Sequence, residues 1–181
     1  ITQGDKTGDK PLSDVVKEYI KEKYNKPGDV FLGVVHRLDR PTSGVIIFAR
    51  TSKALERLNK MLREKTIQKT YWAVVKNQPK KESDTLINFL KKNPKNNKST
   101  TYINEIDGSK KAILHYKTIK SLDNYTLLEI DLETGRHHQI RCQLSTIGSP
   151  IKGDLKYGFN RSNKDGSIHL HARNINFTHP V

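Results

Sequence analysis

Cysteine is almost missing from this sequence. Cys142 stands alone among 181 residues, so no intrachain disulfide can form, as suits a reducing compartment. Long apolar runs are missing too. The longest, Val45-Ile46-Ile47-Phe48-Ala49, falls far short of the ~20 residues that a membrane-spanning helix needs. The opening residues Ile1-Thr2-Gln3-Gly4-Asp5-Lys6 are polar and lack the apolar centre of a secretory leader, so the expectation is a cytoplasmic protein without a membrane partner. Aromatic residues are only 7% and hydrophobic residues 34%, which predicts a modest core. Acidic residues are scarce: 19 Asp and Glu face 33 Lys and Arg, a formal charge of +14. Such an excess on a chain this size points to a polyanion, though charge alone separates neither RNA from DNA nor binding from plain solubility. There is no phosphate-binding glycine fingerprint and no Gly-x-Ser-x-Gly elbow, so cofactor-dependent chemistry has no motif behind it.

What is present is a mixture of periods. Leu12, Val15, Val16, Tyr19, Ile20 and Tyr24 recur at helical spacing, with Ser13 or Asp14 as the cap and Pro27-Gly28 as the stop. A second amphipathic helix is predicted after Thr51-Ser52. It carries Leu55, Leu58, Met61 and Leu62 on one stripe and Lys53, Arg57, Lys60 and Arg63 on the other, a phosphate-facing ridge or a solvated face. Strands are predicted over 45–49, 70–75, 112–119, 125–132 and 174–177, and Ser121-Leu122-Asp123-Asn124 joins the third and fourth as a hairpin turn. Residues 91–100 are polar and basic and read as an exposed loop. Without a βαβ rhythm, these elements predict an α+β fold on an antiparallel or mixed sheet.

Two segments concentrate polar chemistry. In His36-Arg37-Leu38-Asp39-Arg40-Pro41-Thr42-Ser43-Gly44, an aspartate lies between two arginines in a loop stiffened by Pro41 and sharpened at Gly44. Nearby cations keep a carboxylate ionised and available as a nucleophile or base, while an ordinary Arg–Asp loop clasp has the same pattern. Thr134-Gly135-Arg136-His137-His138-Gln139-Ile140-Arg141 opens a short helix that ends near Gly148, with Arg136 on the entry loop and Arg141 within the helix. Neighbouring His137 and His138 do not readily share one metal, and no Cys or carboxylate completes a standard ligand set, so no metal is expected. Lys69-Thr70-Tyr71 starts a strand whose alternation puts Tyr71 and Trp72 on opposite faces. Gly153-Asp154 with Tyr157-Gly158 reads as a turn with a pinned aromatic, and Leu170-His171-Ala172 as a buried strand.

Taken in order, these segments resemble the RluA family of pseudouridine synthases. His36–Gly44 matches the signature His-Arg-Leu-Asp-Arg-x-Thr-Ser-Gly without a substitution. Lys69 and Tyr71 match Lys-x-Tyr, and Gly135–Arg141 matches Gly-Arg-x-His-Gln-Ile-Arg with His137 at the free position. Gly153, Asp154, Tyr157 and Gly158 match Gly-Asp-x-x-Tyr-Gly, and Leu170-His171-Ala172 has a counterpart as well.

The resemblance implies a mixed, mainly antiparallel sheet flanked by helices, with a central RNA-binding cleft. It implies isomerisation of uridine to pseudouridine in ribosomal or transfer RNA without a cofactor; a monomer is the default expectation. Asp39 would be the nucleophile, Tyr71 would stack on the base, and Arg141, or else Arg136, would pair with Asp39. Arg37 would fill the gap left by the extruded base. Arg40, Lys69, Arg136, His138 and Gln139 would join Arg37 at the RNA. The span 1–181 reads as one catalytic domain without the family's early strand or an S4-type domain. A non-catalytic RNA-binding module would have lost Asp39 or Tyr71, and neither is lost. A metal-dependent nuclease using Asp39 and Asp154 would need more convergent carboxylates than the motifs supply.

Overall fold

In a computed structural model, Thr2 and residues 8–180 are described. Apart from Thr2, the polar opening stretch read against a leader lies outside them. The order is α1 (Leu12–Lys23), β1 (Gly33–Val34), β2 (Ser43–Gly44), β3 (Phe48–Ala49), α2 (Ser52–Arg63), β4 (Gln68–Val75), β5 (Ser83–Asn93), β6 (Lys98–Tyr102), β7 (Lys110–Ser121), β8 (Thr126–Leu132), α3 (Gln139–Thr146), a 3-10 turn (Leu155–Tyr157) and β9 (Leu170–Asn176). These belong to two compact units. One holds the described residues up to Arg40, Val45–Ile67 and those from Asn176 on, and the other holds Pro41–Gly44 and Gln68–Ile175.

In the first unit β1 and β3 pair antiparallel, Gly33 opposite Ala49, and α2 packs on both. Gly33 permits that approach, since a methyl group there would lie 2.8 Å from a Leu55 methyl carbon. Helix α2 starts as predicted: Thr51 Oγ1 accepts from Ala54 N at 3.1 Å, a side-chain N-cap. Helix α1 does not. Pro11 occupies its N-cap position with no side-chain cap, and the Asp14 and Val15 amides donate to the Pro11 carbonyl at 3.0 and 3.2 Å. A fixed proline φ suits a helix start and sacrifices no intrahelical donor, so Ser13 and Asp14 fall inside the first turn. The same helix stops before Pro27-Gly28 because Asn25 takes a left-handed φ of 46°. The amides of Asn25 and Lys26 then close on the carbonyls of Glu22 and Lys21 at 3.2 and 3.0 Å, the Schellman pattern.

The run 45–49 yields only the two-residue β3. Part of the reason is local: the Ile47 amide donates to His36 Nε2 at 3.1 Å instead of to a strand.

The second unit is a seven-stranded sheet in the order β2-β9-β4-β8-β7-β5-β6. From β4 through β8, β7 and β5 to β6 the strands pair antiparallel, and β2 runs parallel to β9. Its core comes from alternation. Tyr71, Ala73 and Val75 of β4, Ala112 and Leu114 of β7, and Leu128 and Ile130 of β8 are buried, while their neighbours turn outward. The turn Ser121–Asn124 joins β7 to β8 as predicted, with Leu122 N donating to Tyr125 O at 2.8 Å. Helix α3 ends at Gly148 as predicted, where Gly148 N and Ser149 N bond to Ser145 O and Leu144 O, both at 3.0 Å.

Residues 91–100 are not a loop. Lys91–Asn93 end β5 and Lys98–Thr100 begin β6, and they pair across a turn in which Asn93 and Asn96 accept from the Lys95 and Lys98 amides at 2.9 and 3.1 Å. β6 is the last strand of the sheet, so this hairpin meets solvent and carries lysine and asparagine, a composition that also suits a loop. β9 begins four residues earlier than the apolar pattern predicts and takes in Leu170-His171-Ala172.

Candidate active site

Asp39 sits half-buried on the segment between β1 and β2, in the first unit. Bonds within that unit help hold the segment: His36 Nε2 accepts from Ile47 N, and Leu38 N donates to Thr2 Oγ1 at 3.3 Å. A ring nitrogen that accepts carries no proton, so this clamp requires His36 in its neutral form with hydrogen on Nδ1. Arg37 is exposed, and Arg40 is bound by Asp9 at 2.7 Å. The basic residues of α2 divide. Lys53, Lys60 and Arg63 face solvent, whereas Arg57 Nη1 donates to the Pro180 carbonyl at 3.1 Å.

In the second unit the rest of the nucleophile motif becomes a strand. Ser43 pairs with His171 and Gly44 with Ala172, and Ser43 Oγ lies 2.9 Å from His171 Nδ1. Gly44 has φ 122°, and a methyl group there would lie 2.3 Å from the Ala172 carbonyl oxygen. Only glycine fits both demands. Two motifs far apart in sequence are thus partners in one strand register.

Lys69 and Tyr71 lie on one face of β4 and Trp72 on the other, where its indole donates to Glu129 at 3.1 Å and Arg173 covers its ring at 4.8 Å. Tyr71 is 8% exposed. Burial lowers the Lys69 ammonium below its ordinary range. A methyl group at Gly135 would lie 3.5 Å from Lys69 Nζ, which brings the lysine to the entry loop of α3.

That loop is knitted by Gln139, which is 3% exposed. Its side-chain oxygen accepts from Thr134 Oγ1 at 2.8 Å and Arg136 N at 3.0 Å, and its amide nitrogen donates to Ile113 O at 3.0 Å. Arg136 stays exposed on the loop, its Nε donating to Lys111 O at 2.9 Å, and Arg141 lies within α3, as the sequence predicts for both.

Arg141 is the best-anchored cation of the unit. Its Nε and Nη2 donate to the two carboxylate oxygens of Asp154 at 2.7 and 2.8 Å. The pair is buried, at 6% and 1% side-chain exposure, and the Arg141 guanidinium lies 5.1 Å over the Tyr157 ring. Such a bidentate fork fixes the guanidinium plane and uses two of its five N–H donors. Tyr157 Oη accepts from Ser99 N at 2.8 Å and sits 3.0 Å from His138 Nδ1. Burial pushes this phenol up to about 12. His138 caps α3 in a left-handed conformation with φ 52° and stacks on His137 at 3.7 Å. Burial, then Arg141 and His137, push His138 down to about 2, so it stays neutral. His138 and Gln139, named for RNA contact, are both buried in this unit, where they hold the loop and the helix start. Sequence reading gave Asp154 and Tyr157 only a turn. The signal for more was a carboxylate at 154 between apolar Ile151 and Leu155, a place where burial demands a cation.

His138 gives a pH prediction. Its pKa is lower folded than unfolded, so the unfolded chain binds the extra proton between about 2 and 6.5. Its contribution is intact above that window and falls with pH by up to about 1.4 kcal/mol per unit. Urea unfolding from pH 7 to pH 5 should show wild type losing stability more steeply than His138→Asn, a residue that accepts the left-handed conformation. Equal slopes would contradict the assignment.

Among the described residues no group of three or more His, Cys, Asp or Glu is placed to hold a metal ion, and no helix is long and apolar enough to cross a membrane. Residues 2–146 match the family model described as RNA pseudouridylate synthase. An uncharacterized RNA pseudouridine synthase of Synechocystis sp. is 35% identical over 152 residues, which are 82% of this chain and 46% of that protein. Ribosomal large subunit pseudouridine synthase C of Vibrio vulnificus is 37% identical over 162 residues, which are 86% of this chain and 50% of that protein. The chain thus spans about half the length of these curated relatives. Human RNA pseudouridylate synthase domain containing 4 is similar in structure, with TM-score 0.78 over 97% of this chain and 82% of that one. At 22% identity that likeness speaks for the α+β fold. With the motifs in order, the fold matched and the family model spanning most of its length, the chain belongs to the RNA pseudouridylate synthase family, in its RluA branch.

Proposed function

We propose that this chain isomerises uridine to pseudouridine in RNA, with the Asp39 carboxylate as nucleophile. The observation that carries this reading is the unbroken sequence His36-Arg37-Leu38-Asp39-Arg40, followed in order by Lys69-Thr70-Tyr71 and by Arg141. The net reaction breaks the bond from ribose C1′ to uracil N1 and forms one from C1′ to C5. The C5 hydrogen leaves as a proton, and N1 gains one. Asp39 supplies a transient partner at the sugar or the base, and its release restores the carboxylate. Tyr71 stacks on the base, and its phenol takes part in removing the C5 proton. Arg37 occupies the vacancy left in the RNA stack and offsets part of the few kcal/mol of base extrusion.

Arg141 is the cation proposed beside Asp39, with Arg136 second. Asp154 and Tyr157 support Arg141 in this role, because a guanidinium locked in plane loses little freedom when it takes a second carboxylate. Gln139 and His138 shape the loop and helix start that carry the two arginines, and Arg40 and Lys69 add positive charge for the phosphates.

The relatives named for the ribosomal large subunit make ribosomal RNA the preferred substrate over transfer RNA. The test is to incubate the whole protein with each RNA prepared free of pseudouridine and map carbodiimide-dependent reverse-transcription stops. New stops at discrete uridines of large-subunit RNA are expected. Stops in transfer RNA alone would overturn the substrate class, and stops in neither would overturn the activity.

A further inference from the structure

Next to the Gly153–Gly158 motif, the second unit has a depression of about 360 Å³ lined by Lys76, Asn124, Tyr125, Phe159, Asn160 and Arg161. Its size falls within the ~300–1,000 Å³ typical of small-molecule sites. Lys76 follows β4 and lies five residues beyond Tyr71, roughly 16 Å along a strand direction. The Tyr125 and Phe159 rings are 6.5 Å apart at 32° and make one aromatic wall. Lys152, which is not part of the lining, holds its Nζ 4.7 Å from the Tyr125 ring centre and so puts a further cation beside the aromatic wall. Among the described residues that line it, none is acidic.

We infer that this depression binds one unpaired nucleotide of the RNA, its base against Tyr125 and Phe159 and its phosphates at Lys76, Lys152 and Arg161. Every base offers a π-face to an aromatic wall, and cations around it select a polyanion rather than a neutral ring. The Asn124 and Asn160 amides, each both donor and acceptor, suit a base edge. A duplex phosphate backbone would use the cations and leave the aromatic wall idle, so the wall is what points to an unpaired strand. The site rests on the RNA reading above and extends it: the enzyme grips its substrate at a flanking nucleotide as well as at the target uridine.

The test measures fluorescence anisotropy of the whole protein with a short labelled single-stranded RNA and with a blunt duplex of the same length. Tyr125→Leu/Phe159→Leu should weaken single-strand binding by about 5- to 100-fold, the range for lost base stacking, and leave duplex binding unchanged. Tyr125→Phe should bind like wild type. Lys76→Gln/Arg161→Gln should reduce the salt slope of single-strand binding by roughly 0.7 per cation removed. Single-strand affinity unchanged in the Leu variant, or an equal loss on the duplex, would overturn the inference. So would uridine monophosphate displacing the single strand at matching nucleotide concentration, since the occupant would then be a free nucleotide. Wild type that forms pseudouridine but ignores the Leu substitutions fails the pocket alone. Wild type that binds neither RNA fails the RNA reading itself.

Discussion

Asp39→Asn, the loss of the proposed nucleophile, is expected to eliminate pseudouridine formation and to leave RNA binding, with its salt dependence, at the wild-type level. The change is one atom in size, and an amide neither attacks carbon nor holds a negative charge. A covalent nucleophile is not replaced by its neighbours, so the loss should be on the order of 10⁴-fold or more. Binding survives because the affinity of a protein this basic for RNA comes mostly from phosphate contacts, and +14 becomes +15. The bond from Ile47 N to His36 Nε2, which helps hold the segment, is not touched by the substitution. Single-turnover assays with RNA in large excess of its dissociation constant separate the two effects. Turnover within tenfold of wild type would remove Asp39 from the nucleophile's place.

The second large effect is on folding. Arg141→Ala leaves the Asp154 carboxylate buried at 1% exposure without its two charge-assisted donors, and Asp154→Ala does the same to the guanidinium. Breaking a buried pair from one side costs about 3–5 kcal/mol, because the remaining charge has lost its compensation. Tyr157 adds to the loss, since the guanidinium covers its ring. Both single variants should show a large drop in urea midpoint. The double replacement Arg141→Met/Asp154→Leu should recover most of that stability, since both charges go together. It should not recover turnover, because Arg141 is also the cation proposed beside Asp39. A stable and active double variant would reduce Arg141 to a purely structural role.

How much of this was legible beforehand varied with the kind of signal. The strands β4, β7 and β8 are rich in apolar and β-branched residues, and the turn cluster Ser121–Asn124 separates the last two. These strands, the hairpin between β7 and β8, and the opposite faces of Tyr71 and Trp72 could therefore be read directly. Gly148 marked the end of α3 because a left-handed residue is needed there. The edge hairpin of β5 and β6 was hidden. Its lysines and asparagines lie at the end of β5, in the turn and at the start of β6, largely exposed at the sheet's edge, where composition no longer tells strand from loop.

The site divides the same way. Asp39, Tyr71 and Arg141 stood out as motif residues, and the placing of Arg136 on a loop and Arg141 on a helix followed from their spacing. What local sequence did not show was long-range pairing. Ser43-Gly44 meeting His171-Ala172 in one register, and Arg141 forking onto Asp154, depend on how the chain returns. Gln139 and His138 stood out as motif residues, but their burial did not: Gln139 takes the Arg136 amide at the start of α3, and His138 meets the Tyr157 hydroxyl, a partner supplied from farther along the chain.

The most direct test of the proposal uses RNA labelled with tritium at uracil C5. Forming the C5 glycosidic bond expels the C5 hydrogen, so wild-type protein should release one tritium to water for each pseudouridine mapped, and Asp39→Asn should release none. Pseudouridine-free RNA that keeps all its tritium through prolonged incubation with the whole wild-type protein would contradict the account.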